Sequence, residues 1–167
     1  MARMLADGKD KLLWVPEGGI ANLAAPTVTE LTAAGVIDIS CAVSKANFSL
    51  GPTGTADITD TPLCSEAEVV SPGVIQYGGE MDFYRYTTTL EDIAWTTFTD
   101  RGIPGFLVHR ASDKDSADAI AATDEVGVYE ALTGIQVPQA PDGGYRKFRQ
   151  RFYIQRGEPR AVVAAGV

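Results

Sequence analysis

Cysteine, histidine and positive charge are the scarce commodities of this chain. Of 167 residues, two are cysteine and one is histidine. Cys41 and Cys64 match no metal-ligand spacing and imply no disulfide framework. Their small and apolar neighbours place both as buried free thiols. His109 alone leaves no histidine pair for a metal centre and weakens most acid–base schemes. No stretch approaches the roughly 18 apolar residues of a membrane-spanning helix, so membrane insertion is not expected. No apolar segment follows Arg3, so no secretory leader is expected either. Lys and Arg number 14 against 22 Asp and Glu, a net charge of -8. That balance opposes encounter with a phosphate backbone.

The usual catalytic signatures are missing too. There is no phosphate loop, dinucleotide fingerprint or nucleophile elbow. Asp113, Asp115 and Asp118 faintly resemble the start of a calcium loop. Its sixth position would be Asp118 rather than glycine, and no glutamate closes it. His109 beside Asp100 or Asp113 is a conceivable base, but an exposed or interfacial position, on the strand face away from Leu107, is expected. No cofactor and no metal are expected.

What is present is a globular composition: 45% hydrophobic and 22% charged residues, enough for one domain with a real core. Residues 1–35 read as an arm, with a short strand at Leu12–Val15 ended by Pro16, Gly18 and Gly19. Thr29 and Glu30 mark a helical turn stopped by Gly35. Val36–Val43 alternates, with Ile37, Ile39, Cys41 and Val43 on one face, and predicts a strand. Phe48 and Leu50 extend it. Gly51, Pro52 and Gly54 open a turn-rich loop running to Pro62. Further strands are predicted over Leu63–Val70 and Gly79–Thr87. Leu90, Ile93, Ala94, Thr97 and Phe98 recur at helical spacing and predict a helix over Thr89–Thr99, closed by Arg101 and Gly102. Gly105–Arg110, Val126–Val137 and Tyr145–Arg156 complete the strands. Asp113–Asp124 reads as a loop or short helix, and Ala161–Val167 as an apolar tail that pairs with a strand or docks on a neighbour. The sum is mainly β with one helix, a sandwich or small barrel.

Charge is unevenly spread. Residues 1–145 hold 8 basic and 21 acidic side chains, and residues 146–167 hold 6 and 1. Arg146, Lys147, Arg149 and Arg151 thus form a cationic strand on an anionic body. One reading is nucleic-acid binding, which lacks an aromatic platform on the same face. The other is head-to-tail association, the basic strand of one copy meeting the acidic face of the next. Glu66 with Glu68, and Glu80 with Asp82, are read as same-face pairs on two strands. They are either a solvated acidic face, paired acid–base carboxylates, or a face with a collective electrostatic duty.

Ala25, Pro26, Thr27, Val28, Thr29, Glu30 and Leu31, continuing to Val36, Ile37, Asp38, Ile39 and Ser40, resemble the start of major tail proteins of long-tailed, non-contractile phages, especially those of actinobacteria. The stretch Leu90–Phe98, followed by Arg101, Gly102, Gly105, Phe106, Leu107, Val108 and Arg110, is a second similarity. The resemblance implies a single tail tube domain over 1–167: a β-sandwich or barrel flanked by a helix, with an N-terminal arm (1–35), a long loop (44–62) and a C-terminal arm (161–167). It implies six copies per ring and rings stacked into a hollow tube in the virion tail, assembled in the host cytoplasm. The tube would surround a tape-measure protein, meet tail terminator and tail-tip proteins, and let double-stranded DNA pass during ejection. The long loop would contact the next ring through Asn47, Phe48, Leu50, Thr53, Thr55, Asp57 and Asp60. Glu66, Glu68, Glu80 and Asp82 are the candidates for an acidic lumen that repels passing phosphates. A compact chain of this size cannot enclose a duplex, so any conduit lies between copies.

Three other readings stand beside this one. A tail terminator or head–tail connector would form one ring and no polymer. A sandwich-type binding module would stay monomeric with a defined ligand. An enzyme would need a convergent catalytic set, and none can be named.

Overall fold

The computed structural model describes residues 3–166. Met1, Ala2 and Val167, the outer ends of the two expected arms, lie outside the described residues. Seven strands form one antiparallel sheet: β1 (Asp10–Pro16), β2 (Ile37–Asp38), β3 (Ser49–Thr59), β4 (Val70–Tyr84), β5 (Pro104–Ala111), β6 (Glu125–Pro138) and β7 (Lys147–Val162). Their spatial order is β2-β1-β5-β6-β7-β4-β3. The two helices are short: α1 (Val28–Leu31) and α2 (Ile93–Thr97). The mainly-β expectation holds.

Both faces of the sheet centre are covered, so its strands read as near-continuous apolar runs rather than clean alternations. In β1, Leu12 and Trp14 point to one core, Leu13 and Val15 to the other. The first core adds Leu107, Tyr129, Phe148, Phe152, Met81 and Phe83, with Phe98 and Ala94 delivered by the α2 segment. Its aromatics interlock: Trp14 meets Phe98 edge-on at 5.1 Å, and Phe83 stacks on Phe148 at 5.4 Å. The second core is built on Phe106, Val108, Val126 and Val128, roofed by Ile20, Leu31, Ile120, Ala161 and Val163.

The end strands bend towards each other. Past β2 the chain crosses to β4, where Val43 bridges Phe83. Ser44 N donates to Asp82 O at 2.7 Å and Tyr84 N to Ala42 O at 2.8 Å. These bonds make a narrow backbone seam between the segment after β2 and β4, over the shared first core.

Several expectations need correction. The strand over Val36–Val43 shrinks to Ile37–Asp38. Asp38 Oδ1 accepts from Ser40 N and Ser40 Oγ contacts both Asp38 and the Leu12 backbone, so side chains take bonds a ladder would have used. Cys41 is left exposed while Ala42 turns inward, and Cys64 is exposed as well. Neither thiol is buried.

The turn-rich loop from Gly51 to Pro62 is mostly strand β3. Its glycines and proline sit in an edge strand with bulges at Pro52/Gly54 and Thr55/Asp57, where missing ladder bonds face water. The strand expected over Leu63–Val70 is instead the link between β3 and β4, and Leu63 is wholly exposed. Strand β4 begins at Val70, where the expected strand was to end, and runs through Ser71, Pro72 and Gly73.

The helix over Thr89–Thr99 contracts to five residues. Asp92 does not cap it, because its carboxylate accepts from Arg85 Nε at 2.8 Å instead. Trp95, Thr96 and Thr97 are poor helix formers. Helix α1 does form, but its cap is Thr27 rather than Thr29: Thr27 and Glu30 make a reciprocal capping box.

The terminal segments are largely integrated. Strand β1 is an inner strand, and Ile20 and Leu31 are buried. Ala161 and Val162 pair with Val126 and Glu125, and Ala164 bridges Thr27. The C-terminal tail therefore docks on its own chain.

Candidate functional site

Beyond Gly79, β4 leaves β7, whose register with it stops at Glu80–Arg151. From there β3 and β4 ladder with each other as a two-stranded ribbon joined by residues 60–69, its root tied to β7 by Tyr77 OH donating to Gly157 O at 3.2 Å. Isolated ribbons are marginal in water, yet this one exposes Ile58, Leu63, Val69, Val70, Val74 and Ile75. Such a concentration of exposed large apolar residues marks an interaction surface. The outer edge of β3 also carries unpaired backbone groups.

The residues assigned to the long loop divide along this ribbon. Asn47 lies in a short helical turn and donates from Nδ2 to Asp82 at 2.6 Å. Phe48 and Leu50 pack against the first core, and Phe48 also faces the His109 ring at 5.2 Å. Thr53 Oγ1 donates to Gln76 O across the ribbon at 3.1 Å. Thr55, Asp57 and Asp60 are the ones on the projecting part, with Asp57 and Asp60 exposed.

The four acidic candidates do not share a face. Glu66 and Glu68 are exposed in the link at the ribbon tip. Glu80 is half-exposed, with its carboxylate 3.4 Å from Arg149. Asp82 is buried at 1% exposure, so it cannot present a free charge to any lumen. Its carboxylate accepts from Arg149 Nε at 2.9 Å, Gln139 Nε2 at 2.8 Å and Asn47 Nδ2. Burial by itself would raise its pKa, but the bonds from Arg149 and Asn47 and the guanidinium charge outweigh that and hold it below its ordinary value.

The basic strand is present at the start of β7 and its members differ. Arg149 is engaged within the chain by Asp82 and Glu80. Lys147 Nζ lies over the Tyr84 ring at 5.4 Å and Arg151 over Tyr153 at 5.0 Å. Arg146 is exposed. Tyr145, Tyr153, Ile135 and Val137 are exposed beside them.

Other polar groups serve the fold. Among the described residues, no cluster of His, Cys, Asp and Glu could hold a metal ion. The fully buried Arg110 donates to the backbone carbonyls of Asp115, Asp118 and Ala119, so the stretch that faintly resembles a calcium loop is organised by a guanidinium. His109 shares the Leu107 face, since strand residues two apart point the same way. It is half-buried and within 2.9 Å of Asp10 Oδ1. A cavity of about 390 Å³ lies here at the seam, lined in part by Leu12, Cys41, Val43, Phe48 and His109.

Sequence reasoning missed Asp82 as a structural hub and misplaced the ribbon tip. The lack of any basic residue between Lys45 and Arg85 was the available signal for the tip: the segment holds Asp57, Asp60, Glu66, Glu68, Glu80 and Asp82 and no cation.

Comparison with curated proteins returns no match. The sequence profile of a family described as phage tail tube protein matches residues 1–166, nearly the whole chain. With that coverage the chain belongs to the phage tail tube proteins, structural and non-enzymatic components of the virion tail.

Proposed function

We propose that this protein polymerises as rings, six copies each, stacked into the tube of a long non-contractile tail. The tube surrounds a tape-measure protein, is bounded by terminator and tail-tip proteins, and conducts double-stranded DNA at ejection. The observation that carries this reading, beside family membership, is the ribbon of β3 and β4. It projects from the sheet and leaves Ile58, Leu63, Val69, Val70 and Val74 exposed among the described residues. In a tube it reaches the neighbouring ring through Thr55, Asp57, Asp60 and the tip. Exposed edge strands join between copies in the same ring. With Asp82 withdrawn into the domain and Glu66 and Glu68 carried by the ribbon tip to the neighbouring ring, Glu80 is the one of the four candidates left for a repulsive acidic lining.

Electron microscopy of the purified protein, assembled alone or on isolated tail tips, tests this. Stacked annuli forming tubes are expected. Single rings that never stack would favour a terminator or connector, and a persistent monomer on intact tail tips would refute the tube.

A further inference from the structure

Charges that make no ion pair among the described residues gather in two patches of opposite sign. Lys9, Lys11, Lys45, Arg85, Arg110, Lys114, Arg149, Arg156 and Arg160 each have a carboxylate within ion-pair distance. Five cations have none among the described residues: Arg3 and Arg101 stand apart, while Arg146, Lys147 and Arg151 sit together at the start of β7. Several acids lack a cation among the described residues, Glu17, Asp100 and Asp142 among them, but Asp57, Asp60, Glu66 and Glu68 are the ones that sit together on the ribbon and its tip. Each group is set among exposed apolar side chains: Tyr145, Tyr153, Ile135 and Val137 around the cations, Ile58, Leu63, Val69 and Val70 around the acids. Two patches of opposite charge and similar character are complementary in the sense that sets register and partner choice.

They cannot meet within one chain. Register places Tyr84 opposite Lys147 and Glu80 opposite Arg151. From Glu80 the ribbon runs the other way, and its ten residues back to Val70 span roughly 33 Å at strand rise. The tip and the cationic patch therefore lie at opposite ends of β4, held apart by the ladder.

We propose that the acidic tip of the β3–β4 ribbon docks on the cationic, tyrosine-rich patch at the start of β7 of a second copy. Unlike patches at opposite ends make a heterologous contact, which repeats without closing along one direction. That gives the axial contact of the tube. It rests on the reading that the protein polymerises, and it names the surface that receives the ribbon. Register would come from Glu66 and Glu68 against Lys147 and Arg151, with Leu63 entering among the tyrosines.

The test is a charge swap followed by sedimentation and electron microscopy. One variant carries Glu66→Lys and Glu68→Lys; the other carries Lys147→Glu and Arg151→Glu. All four positions lie at least partly in solvent, and unchanged thermal midpoints check that each variant folds. Each variant alone should lose at least tenfold of its assembled fraction. The two mixed, or all four changes in one chain, should recover it, because opposite charges again face each other. Normal assembly of both single-surface variants would overturn the docking while leaving the tube reading intact. So would failure of every combination to recover. Assembly that survives in Lys147→Glu, Arg151→Glu protein while affinity for duplex DNA falls would assign the patch to nucleic acid and overturn the proposal. Wild-type protein that builds no tube on tail tips refutes the tube reading itself.

Discussion

Arg149 Nε lies 2.9 Å from Asp82 Oδ1, a pairing between β7 and β4 in which the carboxylate is buried and the guanidinium still reaches water. The same carboxylate also holds Asn47, at the entry to β3, and Gln139, in the turn leading to β7. One charge thus fixes the root of the ribbon relative to the sheet. Replacing Asp82 with alanine leaves Asn47 and Gln139 short of an acceptor. The loss should be about 2 kcal/mol rather than the larger cost of stranding a fully buried cation, because Arg149 can turn to solvent. A lowered denaturation midpoint in urea, at unchanged slope, is the expected readout. An unshifted midpoint would remove Asp82 from its structural role.

Stability should fall on acidification. Asp82 is buried, Asp124 is partly buried, and both hold their carboxyl pKa below the ordinary value. In Asp124 burial opposes this, and the Ala121 backbone bond, Lys114 and Arg110 overcome it. The unfolded carboxyls therefore bind protons before the native ones do. The stabilisation is fully present above the unfolded value of about 4 and is lost as pH drops through the native values. The thermal midpoint should be level from neutrality to about pH 5 and decline below it. Asp82→Asn should make that decline shallower, and an identical acid limb in the variant would contradict the assignment.

Gly105 lies in β5 with the Trp14 ring against its Cα. A methyl group there would meet Trp14 and, at 2.8 Å, the Val15 carbonyl. Neither can move freely, since Trp14 is wedged against Phe98 and Phe152 in the first core. Gly105→Ala should cost about 1–3 kcal/mol through overpacking, read by calorimetry together with a changed tryptophan emission. Wild-type stability would show that the ring has room to shift.

Thr27 caps α1 and also bridges Ala164 of the C-terminal tail. Thr27→Ala should lower stability by about 1 kcal/mol. Hydrogen exchange should quicken at the Val28 amide, which donates to Ala164 O. If only the α1 amides speed up, the helix and the tail are uncoupled.

Both thiols should react with an aromatic disulfide reagent in native buffer, giving two equivalents per monomer, since Cys41 and Cys64 are exposed. A single reactive thiol before denaturation would contradict that exposure.

Much of the β content was legible because strand signals for β1 and β5 to β7 are local. Leu12–Val15, Phe106–Val108 and the alternation of Phe148, Gln150 and Phe152 carry their own periodicity. Asp38 and Ser40 defeated the reading of β2 because a side-chain bond competes with the ladder, and alternation does not register that. The ribbon was missed for a related reason: Gly51, Pro52, Gly54, Pro72 and Gly73 are turn residues in isolation. An edge strand tolerates them because it has a neighbour on one side only.

By itself the sequence determined the apolar runs of β1 and β5 to β7, a helical turn at α1, the family and the uneven charge along the chain. Each depends on residue type and short spacing. Which charges are left over was decided by the tertiary structure alone. Asp82 and Arg149 are far apart in the chain and neutralise each other only because β4 and β7 are neighbours. Glu66 and Glu68 make no ion pair among the described residues because the ladder carries them away from the cations at the start of β7. Coulombic compensation acts over a few ångströms of space, and no distance along the chain reports it.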